Sequence, residues 1–108
     1  MSSISVSDYR QACADLIKTA LKYPHMYFAT LGEFETFLRG YDAAYGQILS
    51  LDRNELFNNQ FSDWLREHLG LSCASGWSIA IEGKFLGLDK NCVEVFEKYV
   101  NLFFENWG

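Results

Sequence analysis

Cysteine and histidine are the residues of this sequence whose spacing bears most directly on catalysis. Cys73 follows His68 by five positions, in a loop of small residues that spans positions 71–76. A cysteine nucleophile needs an imidazole close by to accept the thiol proton. The sequence around this pair has neither a third group to orient the histidine nor a recognisable nucleophile motif. The pattern therefore favours a connecting loop, and we expect no enzymatic activity.

Metal binding requires clustered ligands, and this sequence offers none. His25 and His68 lie far apart, and neither belongs to an HExxH motif. Cys13, Cys73 and Cys92 are odd in number and widely spaced, so they form neither a CxxC knuckle nor a disulfide framework. We therefore expect no metal, no other cofactor, and free thiols of the kind found in cytoplasmic proteins.

The net charge of the chain limits the kinds of partner that it is expected to bind. Acids outnumber bases by fourteen to nine, which gives a formal net charge of −5. Nucleic acids and anionic membranes are bound mainly through Lys and Arg, so neither is expected as a ligand. No apolar run is long enough to cross a membrane, and the first five residues do not resemble a signal peptide. A basic protein partner in the cytoplasm remains the favoured kind.

Acids on the predicted solvent-facing sides of helices are the candidate residues for binding such a partner. They are Glu33, Glu35, Asp42, Asp63, Glu67, Glu82, Glu94 and Glu97. Solvation is the ordinary role of an exposed carboxylate, so the sequence predicts an acidic surface without ranking its members.

The elements that position these side chains are predicted to be helices within one domain, residues 1–108. Apolar residues recur at helical spacings of three and four in four segments, which are residues 8–22, 30–49, 55–69 and 92–107. Thr30 with Glu33 forms a capping box at the start of the second segment, and Asn91 with Glu94 forms a capping pair at the start of the last. Gly70 is suited to end the third.

Residues 77–86 are compatible with two structures. Trp77, Ile79 and Ile81 alternate like a strand, whereas Trp77, Ala80 and Ile81 share one face of a helix. A lone strand has no evident partner elsewhere in the chain, and an isolated hairpin is marginally stable. We therefore predict a short helix here, with a strand as the alternative, and an all-α bundle of about five helices.

Aromatic and glycine residues also recur in an order that composition does not explain. The segments are Tyr23-Pro24-His25-Met26-Tyr27-Phe28, Phe37-Leu38-Arg39-Gly40-Tyr41-Asp42-Ala43-Ala44, Phe61-Ser62-Asp63-Trp64-Leu65, Gly76-Trp77, Val95-Phe96 and Phe103-Phe104. In this order they resemble small all-helical immunity proteins of bacterial polymorphic toxin and contact-dependent growth inhibition systems. The resemblance implies a helical protein that neutralises a toxin. Rings at these spacings are usually core residues, so we interpret the motif itself as structural.

Two functional hypotheses follow. The first is an immunity protein that binds a cognate toxin, and the acidic balance suits a basic nuclease toxin. The second is an intracellular adaptor or homo-oligomerisation module without catalytic activity, using an apolar patch such as the aromatic last helix. A homodimer is compatible with both.

Overall fold

Five α-helices make up most of the computed structural model, which describes residues 6–23, 30–85 and 92–107. The helices are α1 (Val6–Lys22), α2 (Leu31–Leu49), α3 (Phe57–Leu69), α4 (Trp77–Phe85) and α5 (Cys92–Glu105), with a 3-10 turn at Arg53–Glu55. No strand occurs in the described ranges. The predicted all-α bundle of about five helices is confirmed, and the segment that begins at Trp77 is a helix.

Local signals set several of the helix boundaries. The Thr30 hydroxyl accepts a hydrogen bond from the Glu33 backbone N–H at 3.1 Å, as the capping box predicts. Gly70 ends α3 with a left-handed φ of 67°, and its N–H donates to the last carbonyls of that helix. The predicted cap of α5, Asn91, lies outside the described residues.

Aromatic rings fill the centre of the bundle. Phe61 of α3 packs edge-to-face against Trp77 of α4, with ring centres 5.5 Å apart. It makes similar contacts with Phe96 and Phe103 of α5, at 5.7 and 5.5 Å. Phe34 of α2 packs on the other side of the core, 5.9 Å from Phe96. Each such pair adds about 0.5–1.5 kcal/mol beyond the area it buries, so these rings bind four helices into one core.

The buried face of α2 also carries two acids. Leu31, Phe34 and Leu38 are buried, as the periodicity predicts, but Glu35 and Asp42 join them at 5% and 3% exposure. We predicted that both carboxylates face solvent, and that prediction is wrong; their predicted role in binding a partner stays a prediction. Each carboxylate accepts hydrogen bonds from the start of another helix, which offsets the cost of burying its charge.

Asp42 lies where α1, α2 and α3 meet. Its Oδ1 accepts from the Tyr9 hydroxyl at 2.5 Å, and its Oδ2 accepts from the backbone N–H and side-chain amide of Asn58 at 3.0 and 2.7 Å. The Tyr9 hydroxyl accepts from the Phe57 N–H at 2.8 Å. The Asn58 Oδ1 accepts from the Trp77 indole N–H at 2.6 Å. One buried network therefore joins four helices.

This network starts α3, which has no side-chain cap of its own. Its N-cap residue is Leu56, whose side chain has no acceptor. The first N–H groups of a helix lack acceptors within the helix. Here the Tyr9 hydroxyl accepts from the Phe57 N–H, and Asp42 accepts from the Asn58 N–H. A carboxylate at this position also interacts favourably with the positive end of the helix dipole. As a result, α3 begins at Phe57, two residues after the predicted start.

Burial raises the pKa of Asp42 above its ordinary value of 3.8, although hydrogen bonds from Tyr9 and Asn58 and the charge of Arg39 oppose the change. A carboxyl group whose pKa is raised by folding holds its proton more tightly in the folded chain than in the unfolded chain. Its contribution to stability is therefore largest below the unfolded pKa and is lost as the pH rises through the folded pKa.

We expect the wild-type protein to lose stability relative to an Asp42→Asn variant as the pH rises from about 4 to 7, because residue 42 titrates only in the wild type. Urea unfolding followed by tryptophan fluorescence measures both proteins across this range. The test is whether the difference in unfolding free energy between the two proteins changes with pH. A difference that is the same at every pH does not affect this test. A difference that shifts in favour of the wild type with rising pH would contradict the raised pKa.

Candidate functional site

A cleft between α2 and α4 holds two of the acids that the sequence singled out. Thr36 and Arg39 line its α2 side, Ile79 and Glu82 line its α4 side, and the buried Glu35 lies between them. We call this surface the α2/α4 cleft.

The Glu35 carboxylate joins the two walls of the α2/α4 cleft. Its Oε1 accepts from the Ser78 backbone N–H at 3.0 Å and from the Ser78 hydroxyl at 2.6 Å. Its Oε2 accepts from Nε and Nη2 of Arg39, one turn along α2, at 3.1 and 2.5 Å. Gly76, which precedes α4, has no side chain to cap that helix. Glu35 therefore caps α4 and also holds Arg39 at the surface, where the arginine side chain is 52% exposed.

The position of the Glu35 carboxylate leaves little room for a side chain at residue 76. A Cβ atom at Gly76 would lie 2.7 Å from Glu35 Oε2 and 2.8 Å from Oε1, closer than these atoms can pack. Its φ of 108° is also one that other residues rarely adopt. Trp77 follows with its ring in the core and its indole N–H bonded to Asn58. The Gly76-Trp77 pair is thus explained by the fold, in line with the structural interpretation of the motif.

The other predicted acids are exposed. Asp63 is 3.4 Å from Arg66 on α3. Glu97 lines a different cleft, between α1 and α5, together with Lys18 and Lys22. The remaining exposed acids are Glu33 on α2, Glu67 on α3, Glu82 on α4 and Glu94 on α5. The structure therefore brings Glu35 and Glu82 to one cleft and distributes the others.

Two residues of the α2/α4 cleft, Arg39 and Ile79, were not singled out as binding residues. Ile79 is 58% exposed, and covering it would remove apolar surface from water. The sequence contained one indication that Ile79 would be exposed. If residues 77–85 form a helix whose buried face holds Trp77 and Ile81, then Ile79 falls outside that face. No comparable signal marks Arg39, because its position depends on Glu35 being buried.

His68 and Cys73 are engaged in other contacts. The His68 Nδ1 lies 3.0 Å from the Trp64 carbonyl oxygen, and the imidazole ring stacks on the Trp64 ring with centres 4.6 Å apart. Burial raises the pKa of Cys73, which favours the thiol over the reactive thiolate. The contacts of His68 and the raised pKa of Cys73 argue against these residues acting as a base and a nucleophile. The absence of enzymatic activity stays a prediction.

The sequence also predicted that the chain has no metal site and no membrane-spanning segment. Across residues 6–23, 30–85 and 92–107, no group of three or more His, Cys, Asp or Glu could hold a metal ion. His25 lies outside these ranges, so the expectation of no metal site stays a prediction. No helix in the same ranges has the length and apolar character needed to span a membrane.

We expect Gly76→Ala to lower the free energy of unfolding by about 1–3 kcal/mol, because the new methyl group collides with the Glu35 carboxylate and strains the backbone. Gly40→Ala is the matched control. Nothing lies within 4 Å of a Cβ at Gly40, in the middle of α2, so this change should stabilise the protein by up to about 1 kcal/mol. Thermal unfolding compares the two. Equal stability of Gly76→Ala and the wild type would show that Glu35 is not held as described.

Comparison with known proteins identifies no relative. No protein family, no curated protein and no solved structure matches this chain. The resemblance to toxin-immunity proteins therefore rests on its sequence motifs. Several residues of those motifs are buried in the core, namely Leu38, Phe61, Leu65, Trp77, Phe96 and Phe103.

Proposed function

We propose that this chain is an immunity protein that binds a cognate protein toxin in the cytoplasm and neutralises it. The observation that carries the proposal is the α2/α4 cleft, where the exposed apolar side chain of Ile79 lies on the same short helix as the exposed carboxylate of Glu82. The net charge of −5 supports a basic toxin, since complementary charge speeds encounter and selects the partner.

The α2/α4 cleft is pre-organised for binding. Glu35 ties the start of α4 to α2 through Ser78, so the two walls keep a fixed relation. Ile79 and Glu82 lie about one helical turn apart on α4, and both are presented by this anchored helix. A surface that is already ordered loses little conformational entropy on binding. Covering Ile79 would contribute about 1–2 kcal/mol, a useful apolar centre for an interface.

Arg39 adds a third kind of contact to this surface. Glu35 holds its Nε and Nη2, and about half of the side chain remains exposed. Arginine is enriched among the residues that dominate interface energies, because its planar group binds carboxylates and carbonyls in fixed geometry. A matching toxin would place a basic group opposite Glu82, an apolar group opposite Ile79 and an acceptor opposite Arg39.

Two further observations support the proposal. The order of aromatic and glycine motifs resembles that of immunity proteins of polymorphic toxin systems. Cys13, Cys73 and Cys92 are free thiols in the structure, which suits the reducing cytoplasm where such a protein meets its toxin.

We expect the product of the gene immediately upstream to block growth when expressed alone, and co-expression of this chain to restore growth. Ile79→Ala combined with Glu82→Lys should lose this protection, because it removes the apolar centre and reverses the charge of the α2/α4 cleft. Growth on inducing plates and pull-down of the toxin by the tagged chain measure both effects.

The matched control is Leu102→Ala combined with Glu105→Lys. It makes the same two kinds of change, three residues apart, at exposed residues of α5 that were not predicted to bind the partner. We expect this variant to protect as the wild type does, with thermal unfolding showing that both variants fold. A harmless neighbour, or toxicity that persists with the wild-type chain, would reject the immunity function. Protection by both double variants would reject the α2/α4 cleft as the contact surface.

Self-association is the alternative function, and two exposed side chains of α2 favour it. Phe37 and Ile48 are 45% and 66% exposed. They are eleven residues apart, which is about three helical turns, so they share one face of α2. A self-complementary apolar face of this kind is how two-fold symmetric dimers form.

Light scattering after size-exclusion chromatography shows whether the chain associates with itself through this face of α2. We expect a monomer, as suits a protein whose binding surface awaits a toxin. A stable dimer that Ile48→Glu converts to monomer, while Gln47→Glu on the neighbouring exposed position does not, would favour the oligomerisation module.

A further inference from the structure

Basic side chains follow one face of α1. Arg10, Lys18 and Lys22 are separated by eight and four residues, spacings that keep side chains on the same side of a helix. All three line the groove between α1 and the end of α5, which we call the α1/α5 cleft. They are three of only nine bases in a chain of net charge −5. A third of the basic residues therefore line one cleft of an acidic protein.

These cations are not neutralised within the described part of the chain. The ion pairs there join Arg39 to Glu35 and Arg66 to Asp63, and none involves a basic residue of α1. Of the described carboxylates, Glu97 also lines the α1/α5 cleft, at the end near Lys22. Among the described residues no carboxylate lines the Arg10 end, although Asp15 accepts a hydrogen bond there from the side chain of Gln11.

Two of the cations lie over aromatic rings that form the wall of the cleft. The Arg10 guanidinium carbon is 5.5 Å from the centre of the Trp107 ring, and the Lys18 Nζ is 5.8 Å from the centre of the Phe104 ring. Trp107 is held in place because its indole N–H donates to Gln60 of α3. These contacts position the positive groups while leaving their charge without a counter-ion.

Arg10 also has an unmet hydrogen-bonding requirement. Its Nε is enclosed by protein and has no hydrogen-bond partner among the residues that the structure describes. Enclosed donors are nearly always paired in folded proteins, and an unpaired one is a candidate for pairing with a ligand. A carboxylate that enters the cleft and draws the guanidinium toward it would supply the missing acceptor.

We propose that the α1/α5 cleft binds an acidic segment of a partner protein, whose carboxylates pair with Arg10, Lys18 and Lys22. The three cations span about 18 Å along α1, a length that a short helical or extended segment matches. The proposal does not rest on the immunity function, because this cleft is formed by α1 and α5 and the α2/α4 cleft by other helices.

Charge and geometry favour an acidic peptide over single-stranded nucleic acid. Proteins bind single strands by stacking bases on free aromatic faces along a basic channel. Here Arg10 and Lys18 already lie over Trp107 and Phe104, so those faces are occupied. The cations of the cleft are few, and a short run of carboxylates is enough to pair with them.

Fluorescence anisotropy of a labelled deca-glutamate peptide at about 20 mM ionic strength, where screening is weak, tests the proposal. We expect the wild-type chain to bind, and the triple variant Arg10→Gln, Lys18→Gln, Lys22→Gln to bind about tenfold more weakly. The double variant Lys18→Gln, Lys22→Gln changes exposed residues only. It should show a smaller loss in the same direction while the packed Arg10 is kept.

The matched control is the triple variant Arg66→Gln, Lys84→Gln, Lys98→Gln, which changes the net charge by the same amount at exposed residues of α3, α4 and α5. We expect it to bind deca-glutamate within about twofold of the wild type. Absence of wild-type binding, or equal weakening by the two triple variants, would overturn the proposal. Tighter binding of labelled decathymidylate than of deca-glutamate would replace the acidic peptide by nucleic acid and would also overturn it.

Discussion

The rest of this structure depends on two carboxylates of α2 that start two other helices. Asp42 and Glu35 are seven residues apart, so they lie on one face of α2 two turns from each other. Asp42 accepts the backbone N–H of Asn58 at the start of α3, and Glu35 accepts that of Ser78 at the start of α4. Burying a carboxylate is costly unless hydrogen bonds satisfy it, and each of these has side-chain as well as backbone donors. The same contacts fix where α3 and α4 begin relative to α2.

Much of the fold could be predicted, because helices and their ends leave local signals. Apolar spacing marked the helices, and the Thr30 cap and the Gly70 stop act where the sequence placed them. The segment at Trp77 was resolved as a helix by elimination, since a lone strand had no partner. Phe61 and Phe96 were correctly interpreted as core residues, whereas Phe37 of the same motif is 45% exposed.

The candidate site was less predictable, for a physical reason that Glu35 and Asp42 illustrate. Both occupy positions in register with the buried residues Leu31 and Leu38, but an apolar pattern does not count acids as core. Their burial becomes favourable only through donors that lie far away in sequence. In the structure neither Leu56 nor Gly76 caps the helix that follows with its side chain, so each helix start needs an acceptor from elsewhere. The sequence could not show which residue would supply that acceptor, and so Arg39, which depends on Glu35, was missed as well.

The hydrogen bonds between α2 and the first turns of α3 and α4 affect how the bundle unfolds. The terminal turns of a helix normally fray first, and they can open without the remainder of the fold unfolding. In α3 and α4 the first turn is hydrogen-bonded to another helix, so opening it means breaking contacts with α2. The ends of these helices are thereby coupled to global unfolding, and the bundle should open as one cooperative unit on this side. The α4 wall of the α2/α4 cleft therefore keeps its position relative to α2 for as long as the bundle is folded.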